Sequence, residues 1–157
     1  MISQLLPQRI DNTYRGHKLA LWLLSLLLFM RVVMSLNVIF NSYVTLSTAD
    51  GVPLETYTPA AARTAVSLFA LLGLSNLMIC LVGILALVRY RSMVPLMFAL
   101  LLLQQVSARL INLLMPIVRT GTPPGFYINL GLLALMIVGL ALSLHTRGDL
   151  RIEAATG

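Results

Sequence analysis

The chain has 157 residues, of which 59% are hydrophobic and only 10% are charged; its net charge is +6 and its mean hydropathy is +0.92. Soluble domains carry about 25% charged residues, so this composition excludes an ordinary water-soluble globule, and the high apolar content excludes a disordered chain. The single cysteine excludes an intrachain disulfide and a cysteine-cluster metal site.

Four long apolar segments predict four transmembrane helices, at residues 17–44, 64–88, 94–118 and 125–145. Crossing a hydrocarbon core of about 30 Å takes about 20 apolar residues in a helix. The apolar runs are continuous and do not alternate, which favours helices over barrel strands. We therefore expect an all-α integral membrane protein, with residues 1–157 in one domain and the four helices in an antiparallel bundle.

The first predicted helix begins with basic residues and contains an arginine near its middle. Asp11 or Asn12 is expected to cap an early start of this helix. The apolar run meets Arg31 and no small-residue cleavage pattern follows it, so we interpret it as a retained span and not as a signal peptide. The polar residues of this helix cover a broad arc: Arg31, Ser35, Asn37, Asn41 and Ser42.

The second predicted helix carries a stripe of small and polar residues. Thr58 followed by Pro59 is typical of an N-cap and a first helical residue. Small residues permit close approach of a neighbouring helix, and an asparagine forms hydrogen bonds across the contact. The stripe consists of Gly73, Asn76, Cys80 and Gly83, at intervals of three, four and three residues. We expect Cys80 to serve packing and not reactivity.

The third and fourth predicted helices also have polar stripes. Ser92 is expected to cap the third helix, with Pro95 in its first turn, and Thr122–Pro123 to open the fourth. Gln105, Arg109, Asn112 and Pro116 fall within about 60° on the third helix, and Pro116 suggests a kink near its end. On the fourth helix the corresponding residues are Asn129, Gly139 and Ser143.

The basic residues predict the orientation. Seven Lys and Arg residues flank the spans on the side of the termini, namely Arg9, Arg15, Lys18, Arg89, Arg91, Arg147 and Arg151, whereas Arg63 and Arg119 lie on the other side. The positive-inside rule then places both termini in the cytoplasm, with tails at 1–16 and 146–157 and outer loops at 45–63 and 119–124. We expect a bacterial inner membrane. Because the basic residues punctuate the spans and do not form one patch, we do not expect nucleic-acid binding.

Two arginines lie within the spans, whereas all five carboxylates lie outside them: Asp11, Asp50, Glu55, Asp149 and Glu153. Arg31 is thirteen residues after Lys18, about 20 Å along a helix, and Arg109 is ten residues before Arg119, about 15 Å from the outer boundary. A charge at this depth costs at least ~2.5–3.5 kcal/mol. Three kinds of partner remain open: Asn, Gln or backbone oxygens; an anionic or carbonyl-bearing ligand; or a carboxylate of another chain.

Two histidines lie at the predicted cytoplasmic helix ends, His17 on the first helix and His145 on the fourth. If these helices adjoin, a bis-histidine haem or metal site is conceivable. Interfacial histidines commonly contact lipid headgroups, and this is the role that we expect. We therefore predict no metal and no cofactor.

These observations favour a small membrane subunit without catalytic activity, because no Asp, Glu or His is embedded within the spans for acid–base chemistry, the two histidines lying at helix ends. It would be an accessory component of a homo-oligomer or of a larger complex, in contact with membrane lipids and with other chains or copies of itself. The alternative is a binder or carrier of an anionic or carbonyl-bearing amphiphile, a lipid or a quinone, that uses Arg31 and Arg109. The candidate binding residues are Arg31, Asn37, Asn41, Asn76, Gln105, Arg109 and Asn112.

Overall fold

Four long helices make up most of the structure. The computed structural model describes Tyr14, residues 16–119 and residues 124–145, and this part of the chain contains no strand. The helices are α1 (Lys18–Phe40), α2 (Pro59–Arg89), α3 (Val94–Leu114) and α4 (Pro124–Leu144). All four are long and apolar enough to cross a membrane, which indicates an all-helical integral membrane protein.

Helix α1 ends at Phe40, four residues before the predicted Val44. The backbone of Asn41 leaves the helical region, with φ −121° and ψ 38°. Its side-chain Nδ2 donates to Oδ1 of Asn37 at 3.0 Å, because short polar side chains compete with regular helical hydrogen bonding. The chain then forms a short helical turn over Ser42–Val44 and a π-helical turn over Thr45–Ala49.

Helix α2 begins at Pro59, five residues before the predicted start of the span at residue 64. The predicted cap is confirmed, since Oγ1 of Thr58 accepts a hydrogen bond from the backbone N–H of Ala61 at 3.3 Å. The cap predicted for α3 is wrong. A 3₁₀ turn occupies Arg91–Met93, so Met93 and not Ser92 is the N-cap of α3.

Helix α3 ends at Leu114, four residues before the predicted Val118. Pro116 explains the difference, because a proline disfavours helical geometry in the preceding residue, and Met115 has φ −128° and ψ 75°. Pro116 therefore follows the helix and does not kink it. The caps predicted at Asp11 or Asn12 and at Thr122–Pro123, and the tail at 146–157, lie outside the described residues.

The main hydrophobic core lies between all four helices. Helix α1 contacts α2 most extensively and also packs against α4, which in turn packs against α3. The largest fully buried apolar side chains come from all four helices: Leu24, Leu27, Leu28, Cys80, Val94, Met97, Phe98, Leu101 and Met136. The remaining helix surfaces expose many large apolar side chains, as a lipid-facing surface requires.

A second, smaller core covers the start of α2. Leu46, Val52 and Leu54 are buried in the segment that joins α1 to α2, and they pack against Ala65, Val66 and Phe69 of α2. Gly51 has φ 69°, a conformation that side-chain-bearing residues rarely adopt. This turn folds the connecting segment back over the helix.

Candidate polar site between the helices

Arg31 lies inside the packed helices and is held by two neutral acceptors. Its side chain is only 9% exposed. Nη1 donates to Oε1 of Gln104 at 3.0 Å, and Nη2 donates to Oε1 of Gln105 at 2.8 Å. Of the three kinds of partner left open by the sequence, the structure supplies side-chain amide oxygens. The buried Nε has no hydrogen-bond partner among the described residues.

The two glutamines connect Arg31 to the other helices. Neighbouring residues on a helix point about 100° apart, so Gln104 and Gln105 reach different partners. Nε2 of Gln104 donates to Oδ1 of Asn76 on α2 at 2.6 Å. Nε2 of Gln105 approaches Oδ1 and the carbonyl oxygen of Asn129 on α4 at 3.3 and 3.4 Å. Each long helix thus contributes to one polar cluster, which consists of Arg31, Asn76, Gln104, Gln105 and Asn129.

The polar cluster carries one positive charge and no carboxylate. The carboxylates of the described residues are Asp50 and Glu55, and both lie in the connection between α1 and α2. Hydrogen bonds to an ionised group are stronger than neutral ones, and two amide dipoles oriented toward a guanidinium offset part of its cost in low dielectric. The cluster contains only arginine and amide side chains, and their hydrogen bonds link the four helices.

Two glycines of α2 allow α1 to come close to this cluster. A Cβ placed on Gly73 would lie 2.7 Å from Cγ1 of Val38, and one on Gly83 would lie 2.7 Å from Cδ2 of Leu28. Both contacts are shorter than carbon atoms tolerate. The prediction that small residues on this stripe admit a neighbouring helix is therefore confirmed.

Arg109 does not join the polar cluster. It is partly buried, and its guanidinium lies 5.7 Å from the centroid of the Phe126 ring, in the first turn of α4. Because α3 ends at Leu114, Arg109 is only five residues, about 7.5 Å, from the end of its helix. The expected distance of about 15 Å assumed a helix that continues to Arg119, which the structure does not show; the depth of Arg109 in the membrane stays a prediction.

The other predicted candidates form local hydrogen bonds. Asn37 and Asn41 are exposed at the end of α1, where Nδ2 of Asn37 donates to Oγ1 of Thr45 at 3.1 Å. Asn112 is exposed and donates to the carbonyl of Ala108 within α3 at 3.0 Å. Sequence reasoning missed Gln104, because two adjacent residues point in different directions on a helix and the predicted polar stripe included only Gln105. Two neighbouring glutamines within an apolar run were the signal that could have identified Gln104 as well.

The two histidines lie where α1 and α4 adjoin. The backbone N–H of His17 donates to the carbonyl of Leu142 at 3.3 Å, and Nδ1 of His17 accepts from the N–H of Leu19 at 3.2 Å. His17 therefore caps α1. His145 is exposed just after α4. No group of three or more metal-ligating side chains occurs among the described residues, and contact of these histidines with headgroups stays a prediction.

Asp50 lies at the other end of α4, close to its first turn. A Cβ placed on Gly125 would lie 3.5 Å from Oδ1 of Asp50. Burial raises the pKa of this carboxyl, and the positive charge of Arg119 partly counteracts the shift. This end of the molecule thus brings together Arg109, Arg119 and one partly buried acid.

The two arginines of the predicted spans have different surroundings. Arg31 is buried in a network that ties four helices together, whereas Arg109 lies near the helix ends and rests on an aromatic ring. Comparison of the chain with protein-family models, with curated proteins and with solved structures gave no match.

Proposed function

We propose that the protein is a small non-catalytic membrane subunit, an accessory component of a homo-oligomer or of a larger membrane complex. The observation that carries this proposal is the polar cluster. Its only charged group, Arg31, donates to Gln104 and Gln105 of the same chain. The charged side chain that is most costly to place in the spans is therefore engaged in contacts between helices, which supports a structural role. A protein with such a fixed arrangement of helices would act by binding other membrane molecules.

The proposed membrane placement is an antiparallel bundle in a bacterial inner membrane, with both termini in the cytoplasm. The excess of Lys and Arg on the side of the termini supports this orientation. The short 3₁₀ turn over Arg91–Met93 supports the antiparallel arrangement of α2 and α3, because short connections join antiparallel neighbours.

The test is the mass of the protein purified from native membranes in a mild detergent. We expect particles that contain more than one copy of the chain, or a second protein in a fixed ratio. A Gln104→Leu variant, which removes the acceptor of Nη1, should lose the assembly if the polar cluster sets the shape of the unit. Asn112→Leu, on the exposed face of α3, is the matched control and should retain it. A monodisperse monomer without a co-purifying chain would rule out this function.

The second candidate is a binder or carrier of an anionic or carbonyl-bearing amphiphile, a lipid or a quinone. One observation favours it: Arg109 forms no hydrogen bond or ion pair with any described residue and lies beside Phe126 near the helix ends. Arg31 supports it less, because its terminal nitrogens already donate to glutamines. Mass spectrometry of an organic extract of the purified protein tests this candidate, and an extract without lipid or quinone in a fixed ratio would contradict it.

A further inference from the structure

We infer that Arg109 and the first turn of α4 bind the phosphate of an anionic glycerophospholipid, whose acyl chains lie along the exposed outer part of α3. This inference rests on the second candidate function and is independent of the assembly role. It concerns one class of ligand and one site, and it assigns no part to Arg31.

The terminal nitrogens of Arg109 are available as hydrogen-bond donors, and the side chain is held in a fixed position. The guanidinium lies over the Phe126 ring at 5.7 Å, a cation–π arrangement that restricts the side chain. Its Nε is buried and has no hydrogen-bond partner among the described residues. A planar guanidinium matches two oxygens of a phosphate and is therefore better suited to it than to the single oxygen of a quinone carbonyl.

The depth of Arg109 fits a phosphate at the membrane boundary. The 21 residues of α3 span about 32 Å, which is close to the thickness of the hydrocarbon core. The ends of α3 thus lie near the headgroups, and Arg109 is about 7.5 Å from one of them. The contact with Phe126, in the first turn of α4, keeps the guanidinium at this end of the helices. Arg31 lies near the middle of α1 and does not meet this condition.

The surface beside Arg109 is apolar and open. Leu110 is 55% exposed, Leu113 is 80% exposed and Leu114 is 72% exposed, so acyl chains have a continuous surface along this part of α3. The charges on this rim also favour an anion. Arg119 follows α3 as a second cation and is exposed. Its charge also acts on Asp50, the partly buried acid near Gly125, so this rim carries two cations against one acid.

The experiment is native mass spectrometry of the full chain, delipidated in detergent and titrated with phosphatidylglycerol, phosphatidylcholine or oleic acid. We expect the wild type to bind phosphatidylglycerol best, because its headgroup carries a net negative charge, whereas in phosphatidylcholine the choline ammonium offsets the charge of the phosphate. Arg109→Gln should reduce that affinity by about tenfold, the loss expected for one charge-assisted hydrogen bond. Arg109→Lys, which retains the charge but not the planar fork, should lose less.

Arg63→Gln is the control, because Arg63 is an exposed arginine near the start of α2, away from this site. It should bind phosphatidylglycerol like the wild type.

Equal affinity of the wild type and Arg109→Gln for phosphatidylglycerol would overturn the inference, as would equal affinity of the wild type for phosphatidylglycerol and phosphatidylcholine. Binding of inorganic phosphate as tight as that of phosphatidylglycerol would also overturn it, because the acyl chains would then contribute nothing. If Arg109→Gln unfolds, the affinity of Arg109→Lys and the preference of the wild type among the three lipids still test the inference. Loss of a co-purifying protein in Arg109→Gln, with lipid binding unchanged, would assign this surface to a carboxylate of a partner.

Discussion

Arg31 shows how a permanent cation is retained in a membrane interior without an acid in the polar cluster. Its two terminal nitrogens donate to amide oxygens whose own N–H groups donate onward to Asn76 and Asn129. Each glutamine therefore accepts a hydrogen bond from Arg31 and donates one to an asparagine. The hydrogen bonds of this network depend on one another, since removal of one glutamine leaves two buried groups without partners.

We predict that Gln104→Leu lowers the free energy of unfolding by about 1–3 kcal/mol, because it leaves Nη1 of Arg31 and Oδ1 of Asn76 without partners. Denaturation in detergent, followed by circular dichroism, measures this change. Asn112→Leu, whose side chain is exposed, should change stability by less than about 0.5 kcal/mol.

The loss of stability in Gln104→Leu should also depend on the charge of Arg31. In an Arg31→Met background, the same Gln104→Leu substitution should cost less, because the buried cation that needs the amide oxygen is absent. An equal cost in both backgrounds would show that Gln104 acts without Arg31.

Tyr14 makes stability depend on pH at the alkaline end. Its hydroxyl is buried without a hydrogen-bond partner among the described residues, and burial raises its pKa to about 12. Between the ordinary pKa of 10.0 and about 12, the unfolded chain loses this proton while the folded chain retains it. The folded state therefore loses stability as the pH rises through this window.

Tyr14→Phe should abolish this part of the pH dependence and should be as stable as the wild type or more so at neutral pH, because an unpaired hydroxyl is removed. Unfolding midpoints measured between pH 9 and pH 12 test the prediction. Parallel pH profiles of the two proteins would refute it.

Among the candidate residues, the sequence predicted types of partner better than particular pairs. Amide acceptors were one of the three kinds of partner that the lack of carboxylates in the spans left open for an intramembrane arginine. Of the predicted candidates, Gln105 contacts Arg31 directly, whereas Asn76 is linked to it through Gln104. Gln104 was missed because the rotation of α3 relative to α1 and α2 depends on packing that a single helix does not encode. Asn112 shares the predicted stripe with Gln105, yet it lies on the exposed end of α3.

At the level of the helices, the apolar runs predicted that four elements exist, and local chemistry decided where they end. Thr58–Pro59 fixed the start of α2 because capping and proline geometry are local. The end of α1 at Phe40 was not predictable from hydropathy, since apolar residues continue after Asn41 at Tyr43, Val44 and Leu46, and polar residues also occur inside the helix. The effect of Pro116 was local, and it ended α3 at Leu114.

The packing of α4 on α3 gives a sharp prediction from two glycines of one helix. A Cβ on Gly139 would collide with the ring of Phe98, which is fully buried, whereas a Cβ on Gly131 would meet nothing within 4 Å. Gly139→Ala should destabilise the protein by about 1–3 kcal/mol through overpacking. Gly131→Ala should stabilise it slightly or have no effect, because alanine favours a helix over glycine.

Thermal unfolding of both variants in the same detergent measures the difference. The contact of α3 with α4 would be in doubt if both variants behaved alike.

For the whole molecule, the orientation proposed from the basic residues makes a prediction for intact cells. In a Cys80→Ala background, a cysteine at Glu55 should react with a membrane-impermeant maleimide, whereas a cysteine at Ser92 should react only after the cells are opened. Glu55 lies in the connection between α1 and α2, and Ser92 lies in the turn between α2 and α3. The reverse labelling pattern would place both termini outside.

The unequal lengths of the helices have a consequence for the surrounding bilayer. Helix α2 has 31 residues and is about 47 Å long, whereas α3 and α4 have 21 residues each and are about 32 Å long. In a hydrocarbon layer of about 30 Å, α2 must tilt or protrude, and hydrophobic mismatch sets the balance between the two. Because Gly73 and Gly83 hold α2 tightly against α1, the two helices will tilt together. Lipids of different chain length should therefore change the tilt of this helix pair in the bilayer.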